Sequence, residues 1–231
     1  MKARQVFAIG GRFHVETWQE PLLQRHLLSL PGVASPRVCL LAGAVGDNPG
    51  AIEQFYREMG EYDCRLAHLN IYKPVTRDFV DYFSGMDIVY VNGGSTRNLI
   101  TVWRDWGVDV GLRAAWEAGV VMSGTSAGMN CWFESCITDS YPPEMLPLDC
   151  IGLLAGSACA HYSTRPDRAP IFRRLIAEGV IPGPGFAADD DTALHFVGTE
   201  LHEAVSARAG AGVWRLEGGE EVALAVRLLG G

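Results

Sequence analysis

The segment of this sequence best suited to chemistry is Gly124-Thr125-Ser126-Ala127-Gly128. It follows the apolar run Val120-Val121-Met122 and precedes a stretch with helical pattern. A serine between strand and helix in the pattern G-x-S-x-G sits on a sharp turn that lifts its Oγ clear of the backbone. Small flanking residues are required because strand and helix approach each other closely there. The first N–H groups of the following helix, and its positive dipole end, would face charge developing at the serine. Such a serine is suited to attack on a carbonyl carbon. A tight glycine-rich turn with an ordinary serine would read the same way, so the assignment depends on what else the chain supplies.

Three further parts are needed: oxyanion donors, a base and an acid. The N–H of Ala127, next after the serine, is one donor. The second must come from a neighbouring strand end, and Asn92-Gly93-Gly94-Ser95-Thr96 offers one. Glycine there lets a backbone N–H approach substrate with no Cβ in the way, while Ser95 is also a natural helix N-cap. Of six histidines, His26 falls in an amphipathic helix pattern and His68 in a strand pattern, where packing explains them. His161, in Ser157-Ala158-Cys159-Ala160-His161-Tyr162-Ser163, stands at a strand end with a polar loop behind it, ahead of His14 and His195 as a general base. The acid comes from Asp139 or from the cluster Asp189-Asp190-Asp191, set just before the apolar start Thr192-Ala193-Leu194.

The elements around these residues alternate. Short apolar runs at 6–9, 38–42, 65–69, 88–91 and 120–122 are separated by helical patterns through Leu22–Leu27 and over 49–59, 75–83, 96–105 and 109–118. Continuously apolar strands separated by helices predict a parallel sheet covered on both faces. Ligands in such sheets bind at the carboxyl ends of the strands, where Gly10-Gly11 and Gly93-Gly94 both fall. After about residue 135 the pattern loosens around Pro142-Pro143 and Pro147. A helix over 169–178 follows, then a closing set of partly antiparallel strands at 192–197, 203–205, 213–216 and 222–226. No repeat or linker interrupts the 231 residues, so one domain over 1–231 is expected.

Composition narrows the class. Hydrophobic residues make up 48% and charged residues 20%, enough apolar content for a packed core. The net charge of −8, with no run of Lys and Arg, speaks against nucleic acid as a partner. No signal-length apolar segment and no 18-residue apolar stretch is present, so a cytoplasmic protein with no membrane partner is expected. Cysteines at 39, 64, 131, 136, 150 and 159 form no C-x-x-C pair and sit at no zinc spacing with histidine. They are expected to be small buried hydrophobes, although Cys159 lies two residues from His161.

Taken together, the glycine turn at 92–96, the serine turn at 124–128, Ala160-His161-Tyr162 and Asp189-Asp190-Asp191-Thr192-Ala193-Leu194 resemble peptidase E (aspartyl dipeptidase) and its relative cyanophycinase, in order and spacing over nearly the whole chain. The resemblance implies a flavodoxin-like, doubly wound sheet related to class I glutamine amidotransferases, with neither metal nor cofactor. It implies Ser126 as nucleophile, His161 as base, and the N–H groups of Gly94 and Ala127 as oxyanion hole. Peptidase E carries glutamate where this chain has Asp190, which becomes the acid, with Asp139 as the alternative. The family's substrate-reading arginine has no clean counterpart; Arg165, Arg168 and Arg173 are the candidates, with Arg174 beside them. The implied partner is a small peptide, most simply a dipeptide with Asp first. Cleavage of β-Asp-Arg or another small amide is the alternative activity, and a non-catalytic binding protein on the same fold the alternative class.

Overall fold

A computed structural model of the chain describes residues 2–11 and 21–230; His14 lies outside them. Up to residue 125 the alternation follows the apolar periodicity. Strands β1 (Gln5–Ile9), β2 (Arg37–Leu41), β3 (Arg65–His68), β4 (Ile88–Val91) and β5 (Val121–Thr125) are interleaved with helices α1 (Leu22–Ser29), α2 (Pro49–Met59), α3 (Phe79–Ser84), α4 (Thr96–Trp106) and α5 (Val108–Glu117). Helix starts are set locally. Asn48 accepts hydrogen bonds from the N–H groups of Gly50 and Ala51 ahead of Pro49, and Ser95 accepts from Asn98. Asp78 caps α3 in the same way, so that helix begins at Phe79 rather than at 75.

The chain then runs through α6 (Ala127–Asn130), β6 (Phe133–Tyr141), β7 (Glu144–Asp149), β8 (Leu154–Ala160), α7 (Arg168–Ala177), β9 (Gly185–Ala188), β10 (Thr192–Val197), β11 (Glu200–Ser206), β12 (Val213–Glu217), β13 (Glu220–Ala223) and β14 (Val226–Leu228). These strands do not all close one sheet, as the sequence pattern had suggested. An eight-stranded sheet has the order β14-β11-β10-β1-β5-β4-β2-β3, and a six-stranded sheet has the order β13-β12-β9-β8-β6-β7. In the first, β1 to β5 are mutually parallel, β10 is antiparallel to β1, and β14 is parallel to β11. The second mixes parallel pairs β6–β8 and β8–β9 with antiparallel pairs elsewhere. The β6–β7 hairpin was hidden in the sequence by its prolines. Pro142-Pro143 occupies its turn, and Pro147 sits in β7, an edge strand where a missing N–H costs no ladder bond.

Strands β1, β2, β4 and β5 of the large sheet are buried on both faces almost throughout, which is why they read as apolar runs. Phe7, Ile9, Val38, Leu40 and Tyr90 pack against Leu23 and Leu27 of α1 and Phe55 and Met59 of α2. Val6, Ala8, Leu41, Val91 and Met122 face α3, α4 and α5 through Phe83, Trp103 and Leu112. That second cluster continues into Trp132, Phe133, Cys136, Ala158 and Phe186, so one core joins the two sheets. A third cluster, including Tyr162, Phe172 and Leu216, seats α7 on the smaller sheet. Among the described residues no helix is long and apolar enough to cross a membrane.

Candidate active site

The carboxyl ends of β1, β4, β5 and β8 meet at one place, and the glycines there are what allow it. Ser126, immediately after β5, has φ 57° and ψ −108°, a strained conformation for a residue with a side chain. Its N–H donates to Ile9 O at 3.1 Å. A Cβ on Gly124 or on Gly128 would strike the backbone of Val91. These two glycines therefore let the turn pass under β4, the steric role expected of them. The helix that follows, α6, is a single turn of four residues before the chain turns toward β6. Its dipole is correspondingly short. What it contributes is the Ala127 N–H itself, which at the first helical position has no partner within its helix.

Gly94 lines the same cleft as Ser126. It has φ 143°, and a Cβ there would hit the backbone of Ala44, so only glycine holds this course. The adjacent Gly93 comes close enough that a Cβ on it would be 3.8 Å from Ser126 Oγ. Ser95 fills its N-cap role beside them, with its N–H on Ala44 O at 2.8 Å. Two backbone segments thus flank the serine hydroxyl, as an oxyanion hole requires.

His161 follows β8 directly and also takes a positive φ, 54°. Its N–H donates to Gly10 O at 3.1 Å, and Tyr162 N–H donates to Ala188 O at 3.1 Å, fixing the turn between β1 and β9. The imidazole Nε2 is 2.8 Å from Ser126 Oγ, and Nδ1 is 2.5 Å from Asp190 Oδ1. With the proton on Nδ1 donated to the carboxylate, Nε2 is left to accept from the serine hydroxyl. Ser126, His161 and Asp190, read from the sequence as candidates, are therefore joined in one hydrogen-bonded chain.

The three adjacent aspartates have separate tasks. Asp189 is buried, and its Oδ1 accepts from Ser163 N–H and Oγ–H at 2.8 and 2.6 Å, while Oδ2 accepts from Gly212 N–H at 3.1 Å. It pins the loop after His161. Asp191, with φ 66°, pairs with Arg208 at 2.8 Å. Only Asp190 reaches the imidazole. Asp139, the alternative acid, pairs instead with Arg168 Nη2 at 3.0 Å and Arg165 Nη1 at 3.3 Å.

One residue of the site carried no chemical signal in the sequence. A Cβ on Gly11 would collide with Asp190 Oδ1 and with the His161 ring. Gly11 O also accepts the Asp191 N–H at 3.1 Å. The pair Gly10-Gly11 was legible as a strand end, but its service as the floor under the imidazole–carboxylate pair depends on a contact made 150 residues and more along the chain.

The cleft over these groups has a volume of about 460 Å³ and is completed by Asp139, Thr164, Arg165 and Arg168. Arg165 is half exposed. Arg168 is buried and held by Ala160 O at 3.1 Å as well as by Asp139. Arg173 is elsewhere. It grips Glu221 of β13 through Nε and Nη2 and lies 5.9 Å from the Tyr162 ring centre, with Arg174 lining the same separate groove. The Arg173 hydrogen bond holds the Glu221 carboxyl below its usual range, whereas burial, with the bond to Glu221, raises the Tyr162 hydroxyl. The remaining base candidate among the described residues, His195, lies in mid-strand on β10 with its Nε2 on Gln5. Cys159 faces the α7 core, where burial pushes its thiol up to about 12. It belongs to packing.

The model of peptidase family S51 matches residues 6–204. Over 231 residues the chain is 40% identical to a Bacillus subtilis (strain 168) protein described as the uncharacterized peptidase YgaJ, covering 98% of this chain and 100% of that one. Among solved structures, a peptidase from an acI-B1 Actinobacterium superposes with a TM-score of 0.73 at 18% identity, over 97% of this chain and 95% of that one. A putative peptidase E protein from Listeria monocytogenes EGD-e does so with a TM-score of 0.63 at 16% identity, over 86% and 96%. These last two likenesses are of fold.

Proposed function

The chain belongs to peptidase family S51, and on that premise we propose that it is a serine-type hydrolase of short peptides, with Ser126, His161 and Asp190 as its catalytic groups. The observation that carries the reading is the unbroken hydrogen-bonded chain from Asp190 through His161 to Ser126, opening into a cleft beside Gly94. Ser126 Oγ attacks the amide carbon as its proton passes to His161 Nε2. The N–H groups of Gly94 and Ala127 receive the oxyanion, a contribution of about 3–4 kcal/mol for each donor. His161 then returns the proton to the leaving amine, and water, activated by the same imidazole, releases the acyl-enzyme. Asp190 holds the ring in the required tautomer and stabilises the imidazolium.

The substrate we propose is a dipeptide with N-terminal Asp. Arg165 supplies a half-exposed guanidinium for the β-carboxylate, and Asp139, also partly exposed, supplies a carboxylate for the free ammonium. Arg168, buried and committed to Ala160 O and Asp139, positions that carboxylate rather than meeting substrate. Hydrolysis rates with Asp-X, β-Asp-Arg and neutral X-Y dipeptides test this directly. Asp-X should be cleaved fastest, and Ser126→Ala should lose the activity while keeping its circular dichroism spectrum. Preference for β-Asp-Arg would move the protein toward the cyanophycinase-like activity. Retained turnover in Ser126→Ala would overturn the mechanism.

A further inference from the structure

On the sheet face covered by α1, away from the cleft residues, three potential ligands converge. His26 comes from α1, His195 from β10, and Glu203 from β11, where strand register sets His195 opposite Glu203. One ligand atom of each lies within 4.8 Å of the other two. Glu203 Oε1 is 3.5 Å from His26 Nε2 and 3.9 Å from His195 Nδ1. Both distances exceed an N–H···O hydrogen bond. They approach the spacing of about 3.4 Å that tetrahedral bonds of about 2.1 Å impose between ligand atoms.

Neither nitrogen is engaged elsewhere. His26 Nε2 and His195 Nδ1 are buried and have no hydrogen-bond partner among the described residues. The tautomer of His195 is fixed from behind. Gln5 Nε2 donates to Leu30 O at 3.3 Å, which turns Gln5 Oε1 toward His195 Nε2 at 2.9 Å. The ring proton therefore sits on Nε2, and the Nδ1 lone pair is free on the side of His26 and Glu203. A metal-bound histidine uses an outer acceptor in this way. Arg227 orients the carboxylate by donating to Oε2 at 2.8 Å and to Oε1 at 3.0 Å. Phe7 walls the site, with ring centres 5.3 Å from His26 and 6.2 Å from His195.

We propose that His26, His195 and Glu203 bind a divalent ion of the zinc class, with water as fourth ligand, and that the ion fastens α1 to β10 and β11. Two imidazoles and a carboxylate suit zinc or cobalt, whereas magnesium and calcium take oxygen ligands. The Arg227 charge opposes a dication, which weakens the site relative to one without a neighbouring cation. The site stands apart from the hydrolytic reading and holds whether or not Ser126 is a nucleophile.

The test is titration of the purified, chelator-treated chain with Zn²⁺ and Co²⁺. One equivalent should bind, with cobalt giving the intense visible bands of tetrahedral coordination. His26→Gln and Glu203→Gln should weaken binding by at least the roughly 10–100-fold that loss of an outer-shell partner alone costs, and Gln5→Ala by about tenfold. Zinc at 100 times its dissociation constant should raise the Tm of the unmutated chain by roughly 5–10 °C. Should a variant fail to fold, imidazole NMR of the unmutated chain decides. The His26 and His195 signals must shift together on zinc addition while that of His68 stays in place. Absence of binding at 100 μM-class concentrations, equal binding in the variants, or shifts at other histidines alone would overturn the proposal.

Discussion

Asp190 and Asp139 both line the cleft that holds Ser126, yet only Asp190 touches the imidazole. That difference makes a kinetic contrast. Asp190→Asn should lower kcat about 10⁴-fold, because an amide favours the wrong tautomer of His161. Asp139→Asn should leave kcat within about tenfold and act on KM, since it faces Arg165 and Arg168. Equal losses of kcat would mean that the hydrogen-bonded pair is not the working one. Gly11 offers a second contrast at this scale. A methyl group there must push apart Asp190 and His161, so Gly11→Ala should reduce kcat about 100-fold or more while the protein stays folded, in line with the cost of small misplacements in an active site. Residue type and local pattern singled out Ser126 and put His161 ahead of the other histidines, but they left the acid open between Asp139 and the Asp189–Asp191 cluster, and Asp190 was implied only by the family resemblance. Gly11 could not be read from them, because its role is the absence of a side chain at a point where three distant segments meet.

The elements differ in how much of themselves the sequence disclosed. Of those that position Ser126 and Gly94, β4 and α4 are bounded by glycines, an N-cap serine and a continuous apolar run and were legible within a residue, whereas β5 read as ending at Met122 and runs three residues further, to Thr125, through Ser123 and Gly124. The turn that carries His161 was legible only as a strand end. Its backbone is held by Gly10 and Ala188, partners no local pattern announces. Helix α7 shows the same limit in another form. Arg173, a substrate-binding candidate only because it follows His161 in the sequence, is tied instead to Glu221 on β13. Arg173→Ala should therefore leave turnover within about twofold and cost at most about 1 kcal/mol of stability, as befits a half-exposed ion pair. The sign of its pH dependence follows from Glu221, whose carboxyl is held below its ordinary 4.5 chiefly by that hydrogen bond. The stabilisation is complete well above pH 4.5 and disappears as the pH falls through the lowered value. Unfolding curves of the two proteins should accordingly differ at pH 7 and converge in acid.

At the scale of the whole molecule, two sheets share one apolar cluster, and Trp132 sits where the chain passes from one to the other. Its ring is fully buried against Trp103, with centres 5.9 Å apart. Trp132→Ala should destabilise the protein by about 3–5 kcal/mol, measured by denaturant unfolding, and should loosen both sheets together. Parallel β-α alternation was visible in the sequence because burial on both faces makes strands uniformly apolar. Of the smaller sheet, β12 was legible at 213–216 and β8 as the strand end before His161, but β6 and β7 were not, because they carry Glu, Ser, Thr and Asp and an edge proline. All of this architecture serves to bring a hydroxyl, an imidazole and a carboxylate from three segments into one line. The most direct measurement of that claim is the rate and position of fluorophosphonate labelling, followed by intact and peptide mass spectrometry. A single adduct on Ser126 is expected, forming at least about 10³-fold more slowly in His161→Gln. An adduct on another residue, or a rate indifferent to His161, would contradict the account.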